Sequence, residues 1–186
     1  MATQAQRISV AEYLEREAKS LERHEYLNGE VFLMAGGSPD HAAISTHIST
    51  SLDTQLANTD CNVRGSDMGI RTNKDGLYFY ADVVVSCGKE QFEGNILLNP
   101  VLIVKVLSEN TDSYDRGKKF ELYREIESFT EYLIVAQDRV YIEHWIRDER
   151  LSSKWTMRVF KDRSDSINLQ AVPAIMSLTD VYRKVL

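Results

Sequence analysis

The sequence predicts an α/β or α+β fold with a mixed central sheet, built as one domain over residues 1–186. Three observations carry this. A strand–helix–strand alternation follows residue 97, the order that packs helices on a sheet. The helix joining the apolar stretches near 99–107 and 130–136 makes those strands parallel neighbours. Asn28-Gly29, between two apolar-alternating stretches, signals a two-residue antiparallel hairpin. The 186 residues, 43% apolar and 27% charged, suffice for one buried core.

The elements follow in order. Ser9-Val-Ala-Glu12 reads as a capping box opening a short helix through about Lys19. Strands at about 23–27 and 30–34 flank the hairpin turn. Gly36-Gly37-Ser38-Pro39 breaks the chain, and Asp40 caps a helix to about Ala57, with Ala43, Ile44, Ile48, Leu52 and Leu56 on one stripe. Residues 61–72 look extended, and Asn73 to Gly76 is a turn. A strand covers 77–87. A third covers 97–108, so apolar that both faces should be buried. A helix runs from about Tyr114 to Glu127, started by residues 110–113, and 130–136 is a fourth strand. Residues 139–147 and 154–160 suit a hairpin, and 177–185 a closing helix.

Charge and composition exclude several classes. No apolar run approaches the ~18 residues of a membrane span, and residues 1–20 lack the apolar core of a secretory signal. Cys61 and Cys87 are too few for a disulfide scaffold or a Cys-rich zinc site, so reduced cysteines and a cytoplasmic location are expected. The net charge of −6 argues against a protein that coats nucleic acid by electrostatics alone. The excess lies in residues 1–100, with 14 acidic against 8 basic residues, whereas 101–186 carry 14 of each. The basic run 147–163 reads as a solvated hairpin.

Two charges stand where charges are expensive. Asp82 interrupts Tyr78-Phe-Tyr-Ala-Asp-Val-Val-Val, and Lys105 interrupts Val101-Leu-Ile-Val-Lys-Val-Leu. An unpartnered buried charge costs several kcal/mol, so each needs a partner or the mouth of a site. If the strands are neighbours, the two can pair. Glu25 in the first hairpin and His41 at a helix start can join them. Lys118 and Lys119 fall in the first turn of the helix after the third strand, against the helix dipole. They point to an anionic partner or to solvent.

Together these residues form a recognisable pattern. The segments HEYLNGEVFLMAGGSPDH, YADVVVSCG, NPVLIVKVLSENT, YDRGKKFELYREI and FTEYLIV resemble the Uma-type endonuclease family, within the PD-(D/E)xK nuclease superfamily. The resemblance runs from about residue 10 to the C-terminus. It implies a restriction-endonuclease-like αβββαβ core, here with an N-terminal helix and hairpin and a C-terminal hairpin and helix. It also implies Mg²⁺-dependent DNA endonuclease chemistry, in which carboxylates on adjacent strands hold the metal and a Lys steadies the water or transition state. By position, Asp82 matches the family's first metal-binding acid, with Ala81 where Pro is usual. Lys119 matches the helix Lys, Glu25 the hairpin acid and His41 the helix-start His. A homodimer would suit a small enzyme that cuts duplex DNA.

One departure matters. Where the family has V-E-V-L-S, with Glu as second metal ligand, this chain reads Val104-Lys105-Val106-Leu107-Ser108. An ammonium cannot ligate Mg²⁺, and Asp82 becomes its natural counter-ion. Two readings follow. Either another acid, such as Glu25 or Glu109, completes an active Mg²⁺ site, or the chain is a degenerate nuclease that binds nucleic acid or protein. Weak or absent divalent-metal binding is expected.

Overall fold

A computed structural model describes residues 7–34, 36–72, 76–107, 115–148 and 153–186. The N-terminal elements form as the caps and turns dictate. In α1 (Val10–Glu17) the Ser9 hydroxyl accepts the Glu12 N–H at 3.2 Å. Between β1 (His24–Leu27) and β2 (Glu30–Leu33), Asn28 and Gly29 have φ of 50° and 93°. Those positive values are what a tight hairpin between twisted strands requires. Helix α2 (Pro39–Leu56) is capped by Ser38, not Asp40: the Ser38 hydroxyl accepts the His41 N–H at 3.1 Å. Pro39 then occupies the first helical position, where its missing N–H costs nothing, and Asp40 sits in the first turn.

The middle of the chain divides between two sheets. Residues 61–72, expected as one extended segment, make β3 (Cys61–Gly65) and β4 (Gly69–Arg71). The expected strand 77–87 splits into β5 (Tyr78–Tyr80) and β6 (Val83–Cys87), with Ala81-Asp82 at the break. The apolar stretch 97–108 follows short β7 (Phe92–Glu93), overlaps β8 (Ile96–Leu97) and contributes β9 (Leu102–Val106). Every residue from Leu77 to Ser86 is buried, so hydropathy carried no sign of the break. The turn residues 73–75 and the helix start at 108–114 lie outside the described residues.

After β9 come a π-helical turn (Asp115–Lys119), α3 (Phe120–Tyr123) and β10 (Glu131–Val135). The helix is therefore shorter than the expected 114–127. Strands β11 (Ile142–Arg147) and β12 (Trp155–Phe160) make the expected hairpin, with 149–152 not described. Strands β13 (Ser166–Asn168) and β14 (Ile175–Ser177), unforeseen in the sequence, precede α4 (Leu178–Val181), which is shorter than the expected 177–185.

The central sheet has the order β12-β11-β10-β9-β6-β3, and the second β2-β1-β5-β4-β8-β7. The central sheet is mixed: β9 and β10 are parallel, and β6 runs antiparallel to β9. Side-chain parity sorts the two faces of the central sheet. Val83, Val85, Leu102, Val104 and Leu133 pack with α2 and α4, while Val84, Ile103, Tyr132 and Ile134 pack with the π-turn, α3 and the second sheet. Contrary to the expected free thiols, Cys61 and Cys87 stand directly opposite on β3 and β6 and are disulfide-bonded.

Candidate functional site

Asp82 occupies the point where the chain leaves one sheet for the other. Its N–H donates to the Val104 carbonyl at 3.1 Å, opening the β6–β9 ladder. That register sets its carboxylate beside the end of β9. Lys105 follows Ile103 in parity, so it points to the same face of the sheet. Lys105 Nζ lies 3.1 Å from Asp82 Oδ2, and the Val106 N–H donates to that oxygen at 2.6 Å. On the other side His41, in the first turn of α2, brings Nε2 to 3.3 Å from Oδ1. Asp82 and Lys105 are each 5% exposed. Burial alone would push the Asp82 carboxyl upward. Lys105, His41 and the Val106 N–H outweigh burial and hold it at about 2.

Glu25 and Lys119 form a second pair on the same side of the central sheet. Lys119 Nζ is 2.8 Å from Glu25 Oε1 and 3.3 Å from Asp115 Oδ1, and it lies over the Phe79 ring at 5.8 Å. The Tyr80 N–H also donates to Glu25, at 3.4 Å. Burial would lower the Lys119 ammonium, but Glu25 and Asp115 reverse that and raise it. Tyr123 lies in the field of Glu25, Asp115 and Asp82; burial first, then these charges, holds its hydroxyl protonated well above the ordinary range.

The five candidates thus fall into two ion-pair groups, Asp82 with Lys105 and His41, and Glu25 with Lys119. Lys118 does not join them: it is exposed and pairs with Glu121 at 3.8 Å. Of the basic run, Arg147 donates to the Glu127 and Arg124 carbonyls and Arg163 to that of Tyr182, while Lys154, Arg158 and Lys161 are exposed. Sequence reasoning missed Asp115, which is 1% exposed and shares Lys119 with Glu25. Its spacing of four residues from Lys119 was the available signal.

The Asp82 group opens on a cleft of about 680 Å³ between α2, the end of the first hairpin and residues 65–67. Met34, Gly37, His41, Ser45 and Asp67 line it with Asp82. Gly37 has a steric reason: a Cβ there would come within 2.5 Å of the His41 ring. The small side chain lets His41 lean back over the loop and reach Asp82.

Two packed sheets that exchange the chain at a buried acid, beside a cleft, make an α+β fold. The family whose model matches residues 10–179 is Uma2, described as "Putative restriction endonuclease". The chain belongs to that family. Two proteins from Synechocystis sp. are similar to the chain. The uncharacterized protein slr1290 is 32% identical over 178 residues, 95% of this chain and 92% of the relative. The uncharacterized protein sll1609 is 33% identical over 141 residues, 74% and 80% of the two chains. The fold matches a crystal structure from Anabaena variabilis described as a "putative nuclease belonging to DUF820". The TM-score is 0.77 at 12% identity, with 96% of this chain and 99% of that chain covered.

Proposed function

We propose that this chain is a nuclease-fold protein that holds a nucleic-acid phosphodiester, DNA being the expected polymer, without a divalent metal. The observation that carries the reading is the buried Lys105–Asp82 pair, 3.1 Å apart, in which Asp82 lines the cleft. Mg²⁺ needs several hard oxygen ligands in near-octahedral geometry. Here one oxygen of the single acid expected to hold it already takes an ammonium and a backbone N–H, and the other faces His41. Glu25 is engaged by Lys119. Among the described residues no three His, Cys, Asp or Glu side chains group closely enough to hold a metal ion. The described residues therefore do not fit Mg²⁺; Glu109 lies outside them.

The charge count agrees. Asp82, Glu25 and Asp115 against Lys105 and Lys119 sum to −1. A Glu at 105 would make it −3, a deficit that a divalent cation relieves. Lys105 supplies that positive charge from within the chain, against Asp82.

The test compares wild type with Lys105→Glu. Labelled oligonucleotides are titrated by fluorescence anisotropy in EDTA and in Mg²⁺, and plasmid and single-stranded DNA are assayed for cleavage in Mg²⁺ and Mn²⁺. Wild type is expected to bind equally with and without metal and not to cut, while Lys105→Glu gains divalent-metal binding. Metal-dependent cleavage by wild type that Asp82→Ala abolishes would overturn the reading in favour of an active Mg²⁺-dependent endonuclease.

A further inference from the structure

Strand β12 is one edge of the central sheet, with β11 its neighbour. Lys154 precedes it, Arg158 lies within it and Lys161 follows it, and all three are exposed. Residues 153–161 hold no Asp or Glu. Elsewhere guanidinium groups at the surface are met by acids, Arg16 by Glu12, Arg64 by Glu90 and Arg71 by Glu93. Among the described residues the three cations of β12 have no acidic partner. At about 3.3 Å per residue they span roughly 23 Å. Their Lys161 end lies toward the cleft. Lys161 and Arg139 both stand over the Tyr141 ring, at 5.5 and 5.2 Å. Gln137, two residues before Arg139, accepts the Ser38 hydroxyl, and Gly37 beside Ser38 lines the cleft.

Charge selects the occupant. A cationic edge strand can simply ward off edge-to-edge pairing, and Met157 and Val159 are exposed on this one. Acids would guard the edge as well, and a chain of net charge −6 is rich in them. That all three charges are positive points to an anion. A phosphodiester in the cleft belongs to a polymer whose flanking phosphates need cations. The cleft lining does not supply them: it sets Glu22, Asp67 and Asp82 against Arg23. We propose that β12 is the docking strip for the phosphate backbone of duplex DNA, running outward from the cleft. Each duplex strand rises about 3.4 Å per nucleotide, so the strip matches about seven nucleotides. The duplex carries about twice the charge per length of one of its strands, which favours it where charge alone is read. This rests on the metal-free phosphodiester reading above.

The experiment measures anisotropy of a labelled blunt duplex with the full chain in EDTA, between about 50 and 200 mM salt. One variant carries Lys154→Gln, Arg158→Gln and Lys161→Gln together. Losing three phosphate contacts should lower the slope of log affinity against log salt by about 2.7. Over that range the variant should weaken about 40-fold less than wild type. A second variant, with Lys19→Gln, Lys89→Gln and Lys118→Gln, makes the same change of net charge at other exposed positions and should keep the wild-type slope. Equal slopes for wild type and the β12 variant, or equal losses in both variants, overturn the strip while the phosphodiester reading stands. A β12 variant that dimerises in light scattering at unchanged DNA affinity assigns the cations to edge protection and overturns the proposal. Absence of all DNA binding by wild type overturns both readings, and wild-type sedimentation with phosphatidylserine vesicles would then assign the strip to a membrane surface.

Discussion

Two buried carboxylates on the central sheet each meet a histidine, and they do different work. Asp82 pairs with His41 on the cleft side. Glu131, which is 0% exposed, pairs with His144 and accepts the Gln170 N–H at 2.9 Å and the Ala171 N–H at 2.8 Å. Backbone donors from the loop between β13 and β14 enclose Glu131, so its hydrogen-bonding capacity is spent on holding that loop. Asp82 is held mainly by side-chain partners at a cleft wall. A buried acid in an apolar strand is thus no sign of a site in itself. What distinguishes Asp82 is a cationic side chain beside it and an opening in front of it.

The comparison breaks hardest at Lys105. Lys105→Met leaves the Asp82 carboxylate buried with one cation fewer, and breaking a buried pair this way costs about 3–5 kcal/mol. Urea denaturation should show that loss, and oligonucleotide binding should fall with it. Glu131→Gln is milder, about 2–3 kcal/mol, because a neutral amide keeps one acceptor oxygen while some buried donors go unmet. Its binding of oligonucleotide should match wild type wherever the protein remains folded. If Glu131→Gln abolishes binding at full folding, the division between structural and functional acid fails.

How much of this was legible in the sequence depends on which physical signal each residue left. Asp82 and Lys105 stood out because a charge inside an apolar run is costly; the β6–β9 pairing that joins them was left conditional, since the crossover helix spoke only for β9 and β10. Glu131 stands before the apolar run Tyr132-Leu-Ile-Val and was not singled out. The hairpin and α1 were legible because turn and cap chemistry is local. The break at Ala81-Asp82 was not: both halves are buried on both faces, and only long-range pairing separates them. The cap falls at Ser38 rather than the expected Asp40 because Pro39 takes the first helical position.

Acid sharpens the contrast. The Asp82 carboxyl is held at about 2 in the folded chain, against an ordinary 3.8. The folded-state value is the lower one, so the unfolded chain binds the proton first as pH falls. The resulting stability, on the order of 2 kcal/mol, is present above about pH 4 and lost as pH drops through about 2. In Asp82→Asn that stretch of the stability–pH curve should flatten, as read by denaturation at stepped pH. An unchanged curve would mean that Lys105 and His41 do not hold the charge.

The smallest effect tests the approach of His41 to Asp82. Gly37→Ala adds one methyl against the His41 ring, 2.5 Å from Nδ1 if nothing moves. Overpacking of this kind costs about 1 kcal/mol, and the loop has room to give because Gly37 is exposed. The ring must then swing away from Asp82, removing the contact at 3.3 Å. Stability should fall little while the Asp82-dependent part of the pH curve shrinks, a pairing that a merely steric change would not produce. Nothing comparable should follow from Gly36→Ala, one residue away, where a Cβ would meet no atom within 4 Å. The difference between these two neighbouring substitutions isolates the histidine's hold on the site acid from the general tolerance of the loop.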